Sequence, residues 1–376
     1  MTVYLDCNAT APLEPEVAAQ VVRWFTEEIG NAGSRTHHFG QRAKEAVQQS
    51  RQQVASVVDA QPEEVVFTSG ATESNNIAIL GLSPLADQEG KRHIISTAIE
   101  HKAVLEPLEV LARRGFEITL LRPTAGGYID PDDVRRALRS DTAIVSVMHV
   151  NNETGVEQPL HEIGLLLSSH DAYFHVDAAQ GFGKRIAALR NPRIDLISVS
   201  SHKIYGPVGV GALIARKRGY RRPPLSPLVF GGGQERGIRP GTLPVPLIVG
   251  LGLASEIALR DAEKRAARCA EIRQEALAAL EGLDIQLNGD PERSLPHVLN
   301  FSVTGIDSEA VMVALKDLAA VSNGSACTSQ SYQPSHVLTA MGLSSERVNS
   351  ALRVSWCHLT PQVRWEEMAQ RLTGLL

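Results

Sequence analysis

Residues 64–82 read E-V-V-F-T-S-G-A-T-E-S-N-N-I-A-I-L-G-L, and this stretch decides the expected fold. The apolar run at 64–68 predicts a buried strand, and residues 69–74 predict a turn that leads into a helix reaching Leu82. A glycine and several hydroxyl side chains therefore stand where a helix begins, and the N–H groups of a helix N-terminus attract phosphate. A plain helix N-cap explains the same residues equally well.

The alternation of strand and helix extends on both sides of this stretch, from residue 16 to about residue 255. A helix is predicted at 41–58, and strand-like runs are found at 93–96, 116–121, 143–148, 173–176, 195–199 and 210–214. Apolar strands separated by helices are typical of a mainly parallel sheet that is covered on both faces. The link at 201–210 is too short for a parallel crossover, so one antiparallel strand is expected.

The sequence pattern changes at about Pro244. A long helical stretch reaches about Leu283, and shorter segments follow at 297–303, 308–319, 334–341, 351–355 and 361–375. We predict an α/β protein whose large domain, at 16–255, contains a mainly parallel sheet of the seven-stranded type. A smaller α+β domain is predicted at 256–376, and residues 1–15 are predicted to form an N-terminal arm that packs with it.

Composition narrows the class of protein. The 376 residues are 43% hydrophobic and 21% charged, values typical of globular proteins, which excludes disordered, collagen-like and coiled-coil chains. The formal net charge of −5 argues against direct binding of nucleic acid. There is no apolar run long enough to span a membrane and no signal-peptide pattern, so a cytoplasmic location is expected. The four cysteines show neither zinc-site spacing nor the density of a disulfide scaffold.

Three side chains stand at or near predicted strand ends, where open α/β sheets bind ligands. Lys203 could form a Schiff base with a cofactor aldehyde, or simply face water at the start of a loop. Asp177 could keep a pyridine nitrogen protonated or cap a helix. His101 could stack on an aromatic ring, relay protons, or be purely structural. Together with the phosphate-binding turn at 69–72, these residues form one coherent pyridoxal phosphate site.

A single cysteine marks a second candidate site. Cys327 stands in S-N-G-S-A-C-T-S-Q-S at 322–331, among small polar residues that could not bury it. A thiol in such a loop is expected to be exposed and nucleophilic, although an incidental loop cysteine fits the pattern too. Arg353 lies on a predicted strand, where its guanidinium could bind a substrate carboxylate through two hydrogen bonds or form a structural salt bridge.

Seven motifs together resemble the bacterial cysteine desulfurases, members of the class V aminotransferase superfamily with fold type I. They are T-S-G-A-T-E-S-N-N (68–76), E-H-K-A-V-L (100–105), M-H-V-N-N-E-T-G (148–155), H-V-D-A-A-Q (175–180), S-S-H-K-I-Y-G-P-V-G-V-G (200–211), G-G-G-Q-E-R-G-I-R-P-G-T-L (231–243) and S-N-G-S-A-C-T-S (322–329). The long stretch around the cysteine is similar to that of the desulfurases with an extended catalytic-cysteine loop.

The resemblance implies how pyridoxal 5'-phosphate would be bound. Lys203 would form the Schiff base, Asp177 would pair with the pyridine nitrogen, and His101 would stack on the ring and assist proton transfer. The ring hydroxyl would be contacted by Gln180 and Asn152. The phosphate would be held by Ala71, Thr72, Ser200 and His202. Thr242 would reach the phosphate of the partner subunit, which implies a homodimer with shared active sites.

The resemblance also implies the reaction. L-cysteine would be bound by Arg353 and Asn152, and Cys327 would accept its sulfur as a persulfide while the substrate becomes L-alanine. An acceptor protein would then take the sulfur. The sequence is similar to the desulfurases that supply DNA phosphorothioate modification, so sulfur supply to that modification, to iron–sulfur clusters, or to both is expected. DNA would be handled by a partner protein, because this chain is acidic.

Two alternatives stay open at this point. The chain could be another class V enzyme, such as an aminotransferase or a cysteine or selenocysteine lyase, none of which needs a protein thiol. It could also be a non-catalytic sulfur carrier that keeps the fold. Departures from the family pattern affect the expected substrate pocket and partner contacts rather than the cofactor; they are Ala32, Phe230, Gln234, Pro240 and Trp356-Cys-His.

Overall fold

The computed structural model describes residues 2–324 and 334–376, and its main element is a twisted sheet of seven strands. The strands of the chain are β1 (Val3–Tyr4), β2 (Val65–Thr68), β3 (His93–Thr97), β4 (Glu117–Leu121), β5 (Thr142–Ser146), β6 (Tyr173–Asp177), β7 (Leu196–Ser200), β8 (Gly211–Ala215), β9 (Ile285–Leu287), β10 (Val298–Val303), β11 (Ala319–Ala320) and β12 (Ala351–Ser355).

Twelve α-helices among the described residues cover the sheets. They are α1 (Pro15–Thr26), α2 (His38–Val57), α3 (Ala71–Gln88), α4 (Lys102–Arg113), α5 (Pro131–Ala137), α6 (Leu160–Leu166), α7 (Val245–Arg260), α8 (Ala262–Ala279), α9 (Ser308–Leu315), α10 (His336–Ala340), α11 (Ser345–Asn349) and α12 (Trp365–Thr373). None of the helices described is long and apolar enough to cross a membrane.

The seven-stranded sheet has the order β2-β8-β7-β6-β5-β3-β4. Strand β8 is antiparallel to both of its neighbours and the other pairings are parallel, which confirms the expected single antiparallel strand. The carboxyl ends of β2, β3, β5, β6 and β7 therefore meet at one edge. Gly211 allows the close approach there, since a Cβ atom at this position would lie 2.3 Å from the Val199 carbonyl oxygen.

A second, smaller sheet lies in the C-terminal part of the chain. Its three antiparallel strands have the order β12-β10-β9, and Phe301 and Leu352 belong to the apolar cluster beneath them. Strand β1 pairs in parallel with β11, and Leu5 is buried in the same cluster. The N-terminal residues thus lie against the C-terminal part, and the proposed limits of the arm and the two domains stay a prediction.

The predicted helical stretch from 244 to 283 is wrong as a single helix. The chain turns at Asp261, which has φ −111° and ψ 11°, and the stretch consists of α7 and α8. The two helices bury apolar faces against different cores: Ile257 of α7 packs in the core of the large sheet, and Ile272 of α8 packs beneath the small sheet. One straight helix could not pack apolar faces against both cores.

Candidate active site

A cavity of about 400 Å³ lies at the edge where the parallel strands end. Ten of the twelve predicted site residues line it: Ala71, Thr72, His101, Asn152, Asp177, Gln180, Ser200, His202, Lys203 and Arg353. Thr242 is exposed and is not among the lining residues. Cys327 lies outside the described residues. The fold therefore brings together side chains from six separate segments of the sequence.

One end of the cavity is formed by the start of α3. Gly70, just before the helix, has φ +152°, a conformation that L side chains rarely adopt. The first N–H groups of an α-helix have no acceptor within the helix, so those at Ala71 and Thr72 can bind an anion. Ser200 stands opposite, with its Oγ 3.7 Å from the position of a Cβ atom at Gly70. This end of the cavity has the features of a phosphate site.

Asp177 ends β6 and is 6% exposed. Its Oδ2 accepts a hydrogen bond of 2.7 Å from Asn75 Nδ2, and its Oδ1 accepts one of 2.9 Å from the Ala179 N–H. Two neutral donors thus fix the carboxyl group without neutralising its charge, which leaves it able to stabilise a cation in the cavity. Asp177 was predicted from the sequence, whereas Asn75 was not, although N-N in the motif at 68–76 was a visible signal.

Lys203 follows β7 after a single short turn. Its Nζ donates hydrogen bonds to the carbonyl oxygens of Asn8, at 2.5 Å, and Ala9, at 2.6 Å. Gln180 Nε2 donates to the same Asn8 oxygen at 2.8 Å, while Gln180 Oε1 is buried without a partner among the described residues. The N-terminal segment therefore positions the lysine. This role of Asn8 could not be predicted from residue type, because the contact is made by a backbone carbonyl group.

Two histidines on the cavity wall are kept neutral. Burial lowers the pKa of His101, and its Nδ1 accepts the Ala103 N–H at 3.1 Å, so the ring also caps α4. The pKa of His202 is lowered to about 4, mainly by burial and also by the nearby Lys203 ammonium. Both the structural and the functional interpretations of His101 are therefore compatible with its position.

Arg353 is 2% exposed and closes the side of the cavity formed by β12. Its Nη2 donates to Asp6 Oδ1 at 2.6 Å, and its Nη1 donates to the Asn152 carbonyl oxygen at 3.1 Å. The Nε atom has no partner among the described residues. Arg353 is thus fixed in place but retains hydrogen-bonding capacity for a carboxylate. Asp6 is a second residue of the N-terminal segment that the sequence analysis did not select.

A larger cavity of about 800 Å³ adjoins the first and shares Thr72, His101 and Asn152 with it. Its wall includes Gly324 and Pro334, the described residues on either side of the segment that contains Cys327. The site therefore opens towards both ends of that segment.

Comparisons with known proteins agree with one another. Residues 3–363 match the Aminotransferase class-V family. A protein named cysteine desulfurase IscS, from Vibrio cholerae serotype O1 (strain M66-2), is 45% identical over 96% of this chain and 89% of its own length. The structure of DndA from Streptomyces lividans is 51% identical and has a TM-score of 0.83 over 94% of this chain and 99% of that one.

A further solved structure is a complex with cysteine. SspA in complex with cysteine is 36% identical and has a TM-score of 0.84, covering 96% of this chain and 100% of that chain. A NifS-like protein, 33% identical, has a TM-score of 0.90 over 100% of this chain and 98% of its own. The fold is thus shared with these proteins.

Proposed function

The chain belongs to the class-V aminotransferase family, and we propose that within it the protein acts as a cysteine desulfurase that converts L-cysteine to L-alanine. The observation that carries the proposal is the meeting of Lys203, Asp177 and Arg353 around one cavity of about 400 Å³. Proteins named cysteine desulfurase that are 45% identical over 96% of the chain support the same reaction.

Enzymes of this family use pyridoxal 5'-phosphate, and the cavity fits that group. The start of α3, with Ser200 and His202, would hold the phosphate, and Asp177 would face the pyridine nitrogen. Gln180 Oε1, which is buried and has no partner in the described part of the chain, offers a hydrogen-bond acceptor to the ring hydroxyl. When bound, the cofactor would supply an electron sink for the Cα carbanion of the substrate. The protein would position the substrate and set the protonation states of the reacting groups.

The residues around the cavity would bind the substrate and transfer its protons. Arg353 would bind the substrate carboxylate and so fix the Cα–H bond relative to Lys203. The Lys203 amine, held by the Asn8 and Ala9 carbonyl oxygens, would take the Cα proton. His101 is neutral because burial lowers its pKa, so it can pass a proton without holding a permanent charge in the site.

Cys327 would take the sulfur. Its thiolate would attack the substrate sulfur, forming an S–S bond as the C–S bond breaks, and the electron pair left on Cβ would be protonated to complete the methyl group of alanine. The resulting persulfide would then pass its outer sulfur to the thiol of an acceptor protein. This role stays a proposal from the sequence.

The reaction is tested by measuring alanine and sulfide from L-cysteine in the presence of a thiol reductant. The parent protein and the Cys327→Ser variant are compared, with the visible absorbance of bound cofactor recorded for both. Alanine from the parent alone, with equal cofactor absorbance, is the expected result. Alanine from both proteins would move the sulfur-accepting role elsewhere, and pyruvate in place of alanine would identify a β-eliminating lyase.

We also propose that the active enzyme is a homodimer in which Thr242 completes the partner subunit's site. Thr242 is exposed and does not line its own subunit's cavity, and the nearby Phe230 is an apolar side chain with 88% exposure. Burying such a side chain between subunits is favourable.

Subunit mixing tests this arrangement. Lys203→Ala and Thr242→Glu chains should each be poorly active alone, the second because a carboxylate repels phosphate. Co-expressed, they should regain activity, since a mixed dimer contains one site with both native residues. Failure to regain activity, with a mixed dimer demonstrated by mass, would place Thr242 in its own subunit's site.

For the acceptor, we propose the protein that inserts sulfur during DNA phosphorothioate modification. The 51% identity to DndA favours this acceptor over an iron–sulfur scaffold. Protein carrying labelled persulfide sulfur should transfer the label to the phosphorothioation acceptor. Transfer to an iron–sulfur scaffold protein alone would contradict this assignment.

A further inference from the structure

Three cysteines lie close together next to the N-terminal segment, outside the cavity that forms the proposed active site. Cys7, Cys269 and Cys357 are buried, free thiols. Cys7 and Cys357 pack in one small cluster with Ala11 and Tyr205. Residues 2–324 and 334–376 contain no group of three or more side chains able to hold a metal ion, so metal binding does not explain the cluster.

Backbone pairing brings Cys7 and Cys357 together from the two ends of the chain. The Cys7 N–H donates to the Ser355 carbonyl oxygen at 3.1 Å, and the Ser355 N–H donates to the Leu5 oxygen at 2.8 Å. Cys357 follows β12 by two residues, and its N–H donates to Thr360 Oγ1 at 2.9 Å. Both cysteines are therefore held by ordered backbone rather than by an exposed loop.

The Cys7 and Cys357 side chains pack in the same cluster, and the interaction between the two thiols raises the pKa of Cys7 and lowers the pKa of Cys357. The Lys184 ammonium lies near enough to favour the Cys357 thiolate as well. Cys269 differs, because burial raises its pKa to about 12. Of these three sulfur atoms, Cys357 is the one prepared to act as a nucleophile.

We propose that Cys7 and Cys357 are a redox-active pair that a hydroperoxide converts to a reversible disulfide. The Cys357 thiolate attacks one peroxide oxygen and breaks the O–O bond, which gives a sulfenic acid and hydroxide that is protonated to water. The Cys7 sulfur then attacks the sulfenic sulfur, and the displaced hydroxide takes the Cys7 proton to form a second water. Two thiols lose two electrons and the peroxide gains them.

Burial selects the oxidant. Cys7 is 3% exposed and Cys357 is 0% exposed, so a bulky disulfide such as oxidised glutathione has no path to either sulfur in the folded protein. Hydrogen peroxide is small and neutral. A cavity of about 100 Å³, lined by Tyr205, Lys184 and Cys269, is large enough to hold it, and Tyr205 packs in the same cluster as the pair.

The pair adjoins the segment that positions Lys203. Cys7 directly precedes Asn8, whose carbonyl oxygen accepts hydrogen bonds from Lys203 and Gln180. The proposal does not depend on the desulfurase reaction, because it concerns thiols that the proposed mechanism does not use.

Peptide mapping of the full-length Cys327→Ser protein tests the proposal without interference from the fourth thiol. The protein is treated with hydrogen peroxide, alkylated in denaturant, digested and examined by mass spectrometry. We expect a cross-linked peptide that joins Cys7 to Cys357 and disappears after dithiothreitol treatment, with Cys269 fully alkylated. Oxidised glutathione at the same concentration should give no cross-link.

Single replacements in this background provide the controls. Cys269→Ser should leave the cross-link unchanged. Cys7→Ser should leave a Cys357 sulfenic acid that dimedone captures, and Cys357→Ser should leave Cys7 alkylated. Complete alkylation of Cys7 and Cys357 after peroxide, or equal cross-linking through Cys269, would overturn the proposal. If a serine variant fails to fold, the peptide map of the Cys327→Ser protein decides alone.

Discussion

Arg51 and Arg353 are both buried, and they differ in how completely their guanidinium groups are paired. Arg51, on α2, donates to both carboxylate oxygens of Glu235, at 2.8 and 2.6 Å, and to the Val65 carbonyl oxygen at 2.6 Å. Its guanidinium also lies over the ring of Phe67. Glu235 also accepts a hydrogen bond from the Phe67 N–H, so both of its carboxylate oxygens have partners within the protein.

Arg353 has one carboxylate partner that it contacts through a single hydrogen bond, to Asp6, and it lines the cavity. Both arginines are thus buried, but only Arg353 lines the cavity and has a single hydrogen bond to its carboxylate partner. A guanidinium that already donates two hydrogen bonds to one carboxylate has a structural role. A guanidinium that donates only one hydrogen bond to its carboxylate partner can still bind a substrate carboxylate. Partner geometry, rather than burial, separates the two roles.

The largest effect is expected for Arg51→Met, which leaves the buried Glu235 carboxylate without its cation. The free energy of unfolding should fall by about 3–5 kcal/mol. Arg42→Met, on the exposed face of the same helix, should cost less than about 1 kcal/mol. Denaturant unfolding of both variants measures the difference. Equal stability of Arg51→Met and the parent would show that the pair at Glu235 is dispensable.

The next effect tests Arg353 directly. Arg353→Lys keeps the charge but loses the two-point contact with a carboxylate, so kcat/KM for L-cysteine should fall about 100-fold, or about 2.7 kcal/mol. Arg347→Lys is the matched control, because Arg347 bonds Asn288 and Leu287 away from the cavity. Steady-state kinetics and thermal melting of both variants test the assignment. An equal fall in kcat/KM for the two variants would contradict it.

Glu100 extends the comparison to a buried carboxyl group that forms no salt bridge within the described residues. Burial raises its pKa to about 8, whereas an unfolded chain has an ordinary glutamate pKa near 4.5. The folded form therefore holds a proton that the unfolded form loses between about pH 5 and pH 8, and stability falls as the pH rises through this window. Below this window, both forms are protonated and the difference vanishes.

Glu100→Gln copies the neutral acid and should remove this dependence. Relative to the variant, the parent should lose about 1–2 kcal/mol of unfolding free energy between pH 6 and pH 8, since each pH unit contributes at most ~1.4 kcal/mol. Parallel pH dependence of the two proteins in denaturant unfolding would show that Glu100 is ionised in the folded state.

The smallest effect concerns Asp6, whose carboxylate competes with a substrate for Arg353. Asp6→Asn keeps a hydrogen-bond acceptor and removes the charge, so KM for L-cysteine should fall about twofold to fivefold, an effect of about 0.5–1 kcal/mol. A higher KM would mean instead that the Asp6 charge is needed to hold Arg353 in place.

Much of the fold could be predicted from local signals. Buried strands such as Thr142–Ser146 are apolar runs bounded by polar turns, so their positions were visible, and the short link after Lys203 required β8 to be antiparallel. The break at Asp261 was not visible, because helical periodicity continues through it while the burial partners change. Asn8 and Ala9, which position Lys203, act through backbone carbonyl oxygens that have no sequence signature.

The sequence by itself determined which residue types stand at the strand ends and on the strand at 351–355, and hence the lysine, aspartate and arginine of the proposed reaction. Only the tertiary structure decided which of the buried groups can still bind a ligand or react. Arg51 and Arg353 are the same residue type, as are Cys7, Cys269 and Cys357, and the sequence did not show which partners each of these side chains has in the folded protein. Availability depends on contacts between distant segments, such as Asp6 with Arg353 and Cys7 with Cys357, and these exist only once the sheets have packed.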